Sequence, residues 1–267
     1  MTVHVDVRGA GPDVVLLHGW GLHGGVWGPW LDGLARVARL HVVDLPGHGY
    51  SPWPAGVATL ETLAQDVAAV VPKGSLLLGW SLGGLLALEI ARQRAAHPAG
   101  LILIGTTPRF VTGPDWPHGM AESLLRDFGE RLRTDHARTV RYFLALQTLG
   151  DEHQQETLRD LLSALGARPP PAHEALACGI EILRQADLCS AVAGIATPAL
   201  VIAGERDRLT PPEAGAALAR TLPAASFRLV RRAAHAPFLS HAAEVLGAVE
   251  HFVTARHPLA ATAEANA

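Results

Sequence analysis

Apolar and polar positions alternate in blocks along the first hundred residues. Residues 14–17, 41–44, 76–80 and 101–105 are short apolar runs bounded by Gly or Pro, the pattern of strands buried on both faces of a parallel sheet. Between them, residues 26–36, 60–71 and 82–94 carry apolar positions at helical spacing. This β-α-β-α rhythm predicts an open, doubly wound sheet with its chemistry at the carboxyl ends of the strands. From about Arg109 to Asp187 the rhythm stops and the pattern turns helical. Val140, Phe143, Leu144 and Gln147 share one face, as do Leu158, Leu161, Leu162 and Leu165. Arg168, followed by Pro169, Pro170 and Pro171, breaks that stretch into separate helices. Strand patterns return at 198–203 and 227–230, and a terminal helix carries Leu246, Val249 and Phe252. The expected layout is a mostly parallel sheet flanked by helices, built from residues 1–108 and 190–256. An all-helical cap, 109–189, is inserted between its two halves. From Thr254 the chain is Ala-rich without an apolar stripe and is expected to fray, with 257–267 a disordered tail.

Composition removes several function classes. With 49% hydrophobic and 18% charged residues in a chain of 267, one large domain can bury a substantial core. Mean hydropathy is +0.20, yet no apolar run approaches the roughly 18 residues of a membrane helix. Net charge is −3, and of the 22 basic residues only Lys73 is a lysine. No basic excess exists to hold a nucleic-acid backbone. The two cysteines, Cys178 and Cys189, lack metal or redox spacing. The N-terminal residues have no charged-then-apolar leader pattern, so a reducing, cytoplasmic setting is expected.

The chemistry concentrates at four places. Gly79-Trp80-Ser81-Leu82-Gly83 follows a strand and precedes a helix. A serine hydroxyl is a weak nucleophile, and a strained strand-to-helix turn flanked by small residues holds it out toward a base and a carbonyl. Gly204-Glu205-Arg206-Asp207 places carboxylates just past the next strand, and Ala234-His235-Ala236-Pro237 follows the last one. Ser81, Asp207 and His235 thus come in the order nucleophile, acid, base expected of this architecture. Glu205 is the rival acid, with Asp207 favoured because it lies further into the loop. The fourth place is His18-Gly19-Trp20-Gly21, whose backbone N–H at Trp20, beside that of Leu82, is positioned to bind an oxyanion. His18 itself reads as a hydrogen-bonding residue of the loop.

These pieces, with Asp44-Leu45-Pro46-Gly47 and Ser51, resemble the α/β-hydrolase superfamily across nearly the whole chain. The Trp20 and Trp80 motifs, Phe143-Leu144-Ala145-Leu146-Gln147 and Ala233-Ala234-His235-Ala236-Pro237-Phe238 are more specific. They resemble the pimeloyl-[acyl-carrier protein] methyl ester esterases of biotin biosynthesis. That resemblance implies a monomeric, cytoplasmic serine carboxylesterase without cofactor or metal. Ser81, Asp207 and His235 would be catalytic, Trp20 and Leu82 the oxyanion donors. Residues Phe143, Leu144, Ala145, Leu146 and Gln147 would line the acyl channel with Trp20, Ser81, Leu82 and His235. It implies an acidic acyl-carrier protein as partner, gripped by basic residues at positions matching Arg138 and Arg159, whereas Tyr142 and Gln155 replace two others. Spacings of seven and three also allow Arg131, Arg138 and Arg141 one helical stripe, although 109–189 holds nine Arg against twelve acidic residues. The same triad serves general short-chain esterases and lactonases. A non-catalytic ligand-binding protein on this scaffold is the rival of another class.

Overall fold

The computed structural model describes residues 3–54 and 58–256; the expected tail at 257–267 lies outside these. Among these residues seven strands form one sheet: β1 (Val5–Gly9), β2 (Asp13–Leu17), β3 (Arg39–Val43), β4 (Leu76–Trp80), β5 (Gly100–Ile104), β6 (Ala199–Gly204) and β7 (Ala225–Val230). Their spatial order is β1-β3-β2-β4-β5-β6-β7, parallel throughout except for β1, which runs antiparallel to β3. Strands β4, β5 and β6 are buried along their whole length, and so is β2 beyond Asp13. These are the strands whose apolar runs are uninterrupted. Strand β1 escapes the sequence pattern because it is an edge: among the described residues only β3 pairs with it, and Val7 is 57% exposed.

Strand β2 pairs with β3 on one side and β4 on the other. The chain therefore leaves in opposite directions after β2, toward β3, and after β4, toward β5. The crevice at their carboxyl ends is where a sheet of this kind takes its ligand. The loop carrying His18 to Gly21 and the turn carrying Ser81 face each other there, since Leu17 is in register with Gly79.

The helices are α1 (Trp30–Leu34), α2 (Leu60–Ala68), α3 (Leu82–Arg92), α4 (Glu122–Thr134), α5 (His136–Gln147), α6 (Gln154–Leu165), α7 (His173–Gln185), α8 (Pro212–Thr221), α9 (Pro237–Ser240) and α10 (Ala242–Arg256). The single helix expected over 26–36 is divided. Residues Gly24–Trp27 form a 3₁₀ turn, Gly28 takes φ 46°, and Pro29 is the N-cap before α1. Glycine permits the left-handed residue, and proline then fixes the entry to the next helix. At the other end α10 runs through Thr254 to Arg256, with Thr254 Oγ1 donating to Glu250 O at 2.9 Å, so the helix continues where fraying was expected. Helices α4 to α7 all lie between β5 and β6. Lys73 is exposed in the turn that precedes β4.

A buried polar cluster joins this four-helix insertion to the sheet. Asp44, fully buried after β3, accepts from Gly24 N at 2.7 Å, Tyr50 N at 2.9 Å and Arg168 at 2.7 Å. Arg168 also bonds Asp6 at 2.5 Å and stacks over the Tyr50 ring at 5.2 Å. Burial opposes its charge, but hydrogen bonds and charge from Asp44 and Asp6 outweigh burial and raise its pKa. The proline run after Arg168 reaches Ala172, whose N–H donates to Gly47 O at 2.8 Å. Beside this cluster His18 spends both ring nitrogens, Nδ1 on Gly19 O at 2.8 Å and Nε2 accepting from Leu45 N at 2.9 Å. The His48 ring lies 5.1 Å away. Desolvation holds both well below the ordinary imidazole range, His48 at about 4.

Two measurements follow from this cluster. Arg168→Ala leaves the Asp44 carboxylate buried without its cation, a loss of about 3 kcal/mol. For a chain of this size that corresponds to a melting temperature lower by roughly 5–10 °C; a variant melting with the wild type would remove Asp44–Arg168 as an anchor. The histidines set an acid limit. In the unfolded chain they gain protons below about pH 6.5, while in the native state His48 stays neutral to about 4. Their contribution is complete above pH 6.5 and is lost as pH falls toward 4. Chemical denaturation at pH 7 and pH 5 should give the lower stability at pH 5, and His48→Gln should flatten that difference.

Candidate active site

Ser81 stands between β4 and α3 with φ 56° and ψ −118°, a conformation that a residue with a Cβ adopts at a cost of about 1–3 kcal/mol. Its surroundings enforce it. Ser81 N donates to Ile104 O at 2.9 Å, and Ser81 O accepts from Gly84 N at 3.0 Å, Leu85 N at 3.1 Å and Thr106 Oγ1 at 2.8 Å. A Cβ on Gly79 would strike the backbone of Gly83 and Gly84, and one on Gly83 would fall on the Leu17 carbonyl. The small residues of the motif are thus required by backbone packed on backbone.

The loops after β6 and β7 bring Asp207 and His235 together. His235 Nδ1 donates to Asp207 Oδ2 at 2.7 Å, with both side chains almost fully buried. Asp207 Oδ1 accepts from Leu209 N and Thr210 N, each at 2.9 Å, and Thr210 Oγ1 donates to Oδ2 at 2.6 Å. With its proton on Nδ1, the imidazole carries a lone pair at Nε2, which is buried and has no hydrogen-bond partner among the described residues. Glu205 is spent elsewhere: it accepts from Arg232 N at 2.8 Å and lies 3.6 Å from the Arg231 guanidinium. The turn and the base loop also touch, since Trp80 Nε1 donates to His235 O at 2.8 Å.

Trp20 is packed into the insertion. Its indole donates to Leu176 O at 2.9 Å and meets the Phe143 ring edge-on at 4.8 Å. Gly179 on α7 leaves room for it, because a Cβ there would sit 2.6 Å from the Trp20 ring. Leu82 is the first residue of α3, where backbone N–H groups have no partner within the helix. On α5, Phe143, Leu144 and Gln147 are buried, whereas Ala145 and Leu146 are half-buried. Both polar atoms of the Gln147 amide lack a partner among the described residues. Ser81 is only 2% exposed and His235 1%, so the crevice is closed over its chemistry. A groove of about 880 Å³ between α2 and α7, lined by Trp53, Leu60, Cys178 and Ile182 among others, does not reach Ser81, Asp207 or His235.

Arg138 and Arg141 are exposed on α5, and Arg159 on the neighbouring α6. Arg131 does not share their helix. Asp135 breaks the chain at φ −154°, ψ 88° and caps α5 by accepting from Arg138 N at 2.9 Å, which leaves Arg131 on α4 over the Tyr142 ring. Glu152, His153 and His241 bring metal-ligating atoms within 4.8 Å of one another at the surface, where Glu152 is already paired with Arg232 at 2.6 Å. Thr210 was not foreseen from sequence. A threonine three residues after an aspartate is the pattern that marks such a side-chain turn.

The alpha/beta hydrolase family matches residues 14–248. The pimeloyl-[acyl-carrier protein] methyl ester esterase of Stenotrophomonas maltophilia strain K279a is 44% identical over 256 residues, 96% of this chain and 98% of the relative. That of Xanthomonas oryzae pv. oryzae strain MAFF 311018 is 45% identical over 251 residues, 94% and 98% of the two chains. Among solved structures, the malate-bound esterase of Thermogutta terrifontis superposes with a TM-score of 0.80 at 27% identity, covering 96% of this chain and 94% of its own. The chain belongs to the alpha/beta hydrolase family and, within it, to the pimeloyl-[acyl-carrier protein] methyl ester esterases.

Proposed function

We propose that this carboxylic ester hydrolase cleaves the methyl ester of pimeloyl-[acyl-carrier protein], releasing methanol and leaving the free carboxylate on the carrier-bound chain. The observation that carries the reading is the Asp207–His235 pair at 2.7 Å with Nε2 unpartnered, at the crevice where Ser81 is held out. Full-length identity of 44–45% to esterases of that name supports the substrate.

The chemistry runs through an acyl-enzyme. His235 Nε2 takes the Ser81 hydroxyl proton as Oγ attacks the ester carbonyl. The Trp20 and Leu82 N–H groups stabilise the oxyanion. The C–O bond to methoxide breaks and His235 returns the proton, so methanol leaves. Water, deprotonated by the same nitrogen, then cleaves the acyl-serine. Asp207 keeps the proton on Nδ1 and stabilises the imidazolium, and Thr210 holds Asp207. Phe143 and Leu144 offer the acyl chain an apolar wall beside Ala145 and Leu146, and the Gln147 amide offers a polar contact. Helices α4 to α7 act as a cap that must part from the core before substrate enters, since Ser81 and His235 are buried. Arg138, Arg141 and Arg159 on its outer face suit the acidic carrier.

The direct test is intact-mass analysis of methyl pimeloyl-ACP incubated with the enzyme, where one methylene unit should disappear. Rescue of a biotin auxotroph lacking its methyl esterase is the cellular counterpart. Faster turnover of short aryl esters with no action on the carrier-bound substrate would instead indicate a general esterase. Ser81→Ala should stay folded and lose hydrolysis by a factor on the order of 10³–10⁶. Asp207→Asn should cripple turnover while Glu205→Gln is mild, and reversed phenotypes would reassign the acid. Arg138→Glu combined with Arg159→Glu should raise KM for methyl pimeloyl-ACP severalfold and spare a small aryl ester. Exposed pairs contribute little singly but steer association together. Added salt, which screens over about 8–10 Å, should mimic the double variant; equal loss on both substrates would mean a damaged cap.

A further inference from the structure

The turn that joins α5 to α6 touches both loops that carry the proposed acid and base. Gln147 O, at the end of α5, accepts from His235 N at 3.0 Å. Four residues on, Asp151 Oδ2 accepts from Ala234 N at 2.7 Å, while Oδ1 accepts from His153 N at 2.8 Å and so fixes the carboxylate from its own side. Glu152 N donates to Arg232 O at 3.0 Å. On the acid side, Arg206, next to Asp207, donates to Gly150 O at 2.9 Å. Asp151 is only 7% exposed. The two backbone N–H groups at and just before His235 are therefore satisfied by the insertion and not by the sheet.

We propose that Asp151 is a positioning residue for hydrolysis: its carboxylate, with the Gln147 carbonyl, fixes the backbone of the His235 loop and thereby the line from Nε2 to Ser81. The inference rests on the reading of His235 as the base. Asp207 orients the ring about Nδ1, but a ring is aimed only as well as its own backbone is held. Strand β7 ends at Val230, and residues 231–236 cross to α9 without strand or helix of their own. Removing the Asp151 acceptor leaves a buried N–H at Ala234 unsatisfied, and the loop relieves that penalty by shifting. A shift near 1 Å at a reacting group is enough to slow chemistry by about 100-fold. Because α5 also carries the residues facing the acyl chain, the element that meets substrate is the one that holds the base.

The test compares Asp151→Ala, Asp151→Asn and Glu152→Gln on a small aryl ester, with active sites counted by stoichiometric labelling with a fluorophosphonate. Asp151→Ala should lower kcat per labelled site roughly 10–100-fold, with KM within about twofold of the wild type and slower labelling. Asp151→Asn keeps one acceptor oxygen for two N–H groups and should recover part of the loss, remaining severalfold slow. Glu152→Gln weakens the neighbouring ion pair with Arg232 yet leaves the Ala234 and His235 contacts in place, so its kcat per site should match the wild type whatever its melting temperature. A merely structural Asp151 would change the melting temperature and the number of labelled sites but not kcat per site, and that result would overturn the proposal. If the alanine variant does not fold, Asp151→Asn decides alone: unchanged kcat per site overturns, a severalfold drop supports. Failure of the wild type to label would instead defeat the reading of Ser81 and His235, which keeps the two failures apart.

Discussion

The left-handed backbone at Ser81 is the constraint from which the crevice follows. A residue with a Cβ stays at φ 56° only when its neighbours leave it no other place. Here the neighbours are Gly79 and Gly83, packed too closely for any side chain, and carbonyl and hydroxyl groups from β5 and the segment after it. The strand registers matter for the same reason. Leu17 opposite Gly79, and Trp80 opposite Ile104, set the loop of Trp20 and the turn of Ser81 at one level. A sheet slipped by a single residue would separate them.

The insertion is held to the sheet at two distant points by different physics. At one end Arg168 meets a fully buried carboxylate, a strong but charge-dependent contact. At the other, backbone groups of residues 147–152 and the Asp151 carboxylate hold the loop of His235. Between these points Trp20 lies under α5 and α7 through one indole hydrogen bond and ring packing on Phe143. The closed state thus concentrates its polar contacts at the ends and leaves, apart from that one indole hydrogen bond, apolar packing over the crevice, the kind of contact that an acyl chain can replace.

What could be read from sequence was what local pattern encodes. Uninterrupted apolar runs marked β2 and β4 to β6, whereas half-exposed β1 carried no such mark. The division at Gly28 and Pro29 was written in the residues but masked by the apolar spacing around it. Ser81, Asp207 and His235 were visible because each follows a strand, and the structure brings Asp207 and His235 into contact. Asp207 was favoured over Glu205 for lying further into the loop, and in the structure Asp207 is the one that meets His235 while Glu205 accepts from Arg232 N. Asp151 and Arg168 act through partners 83 and as many as 162 positions away, and spacing along the chain says nothing about such pairs, whereas Thr210 bonds Asp207 only three positions before it. The supposed stripe of Arg131 with Arg138 and Arg141 failed for a local reason, the helix break at Asp135.

The single lysine gives the molecule a handle. Lys73 is exposed just ahead of β4, and Ser81 lies just behind it. A strand of five residues separates them by roughly 16 Å of sheet, and they lie at its two ends. Lysine-directed attachment to a bead, a dye or a sensor surface therefore tethers the protein by the side of the sheet remote from its crevice. A copy held through Lys73 has the carboxyl ends of the strands, where Ser81 lies, turned away from its support.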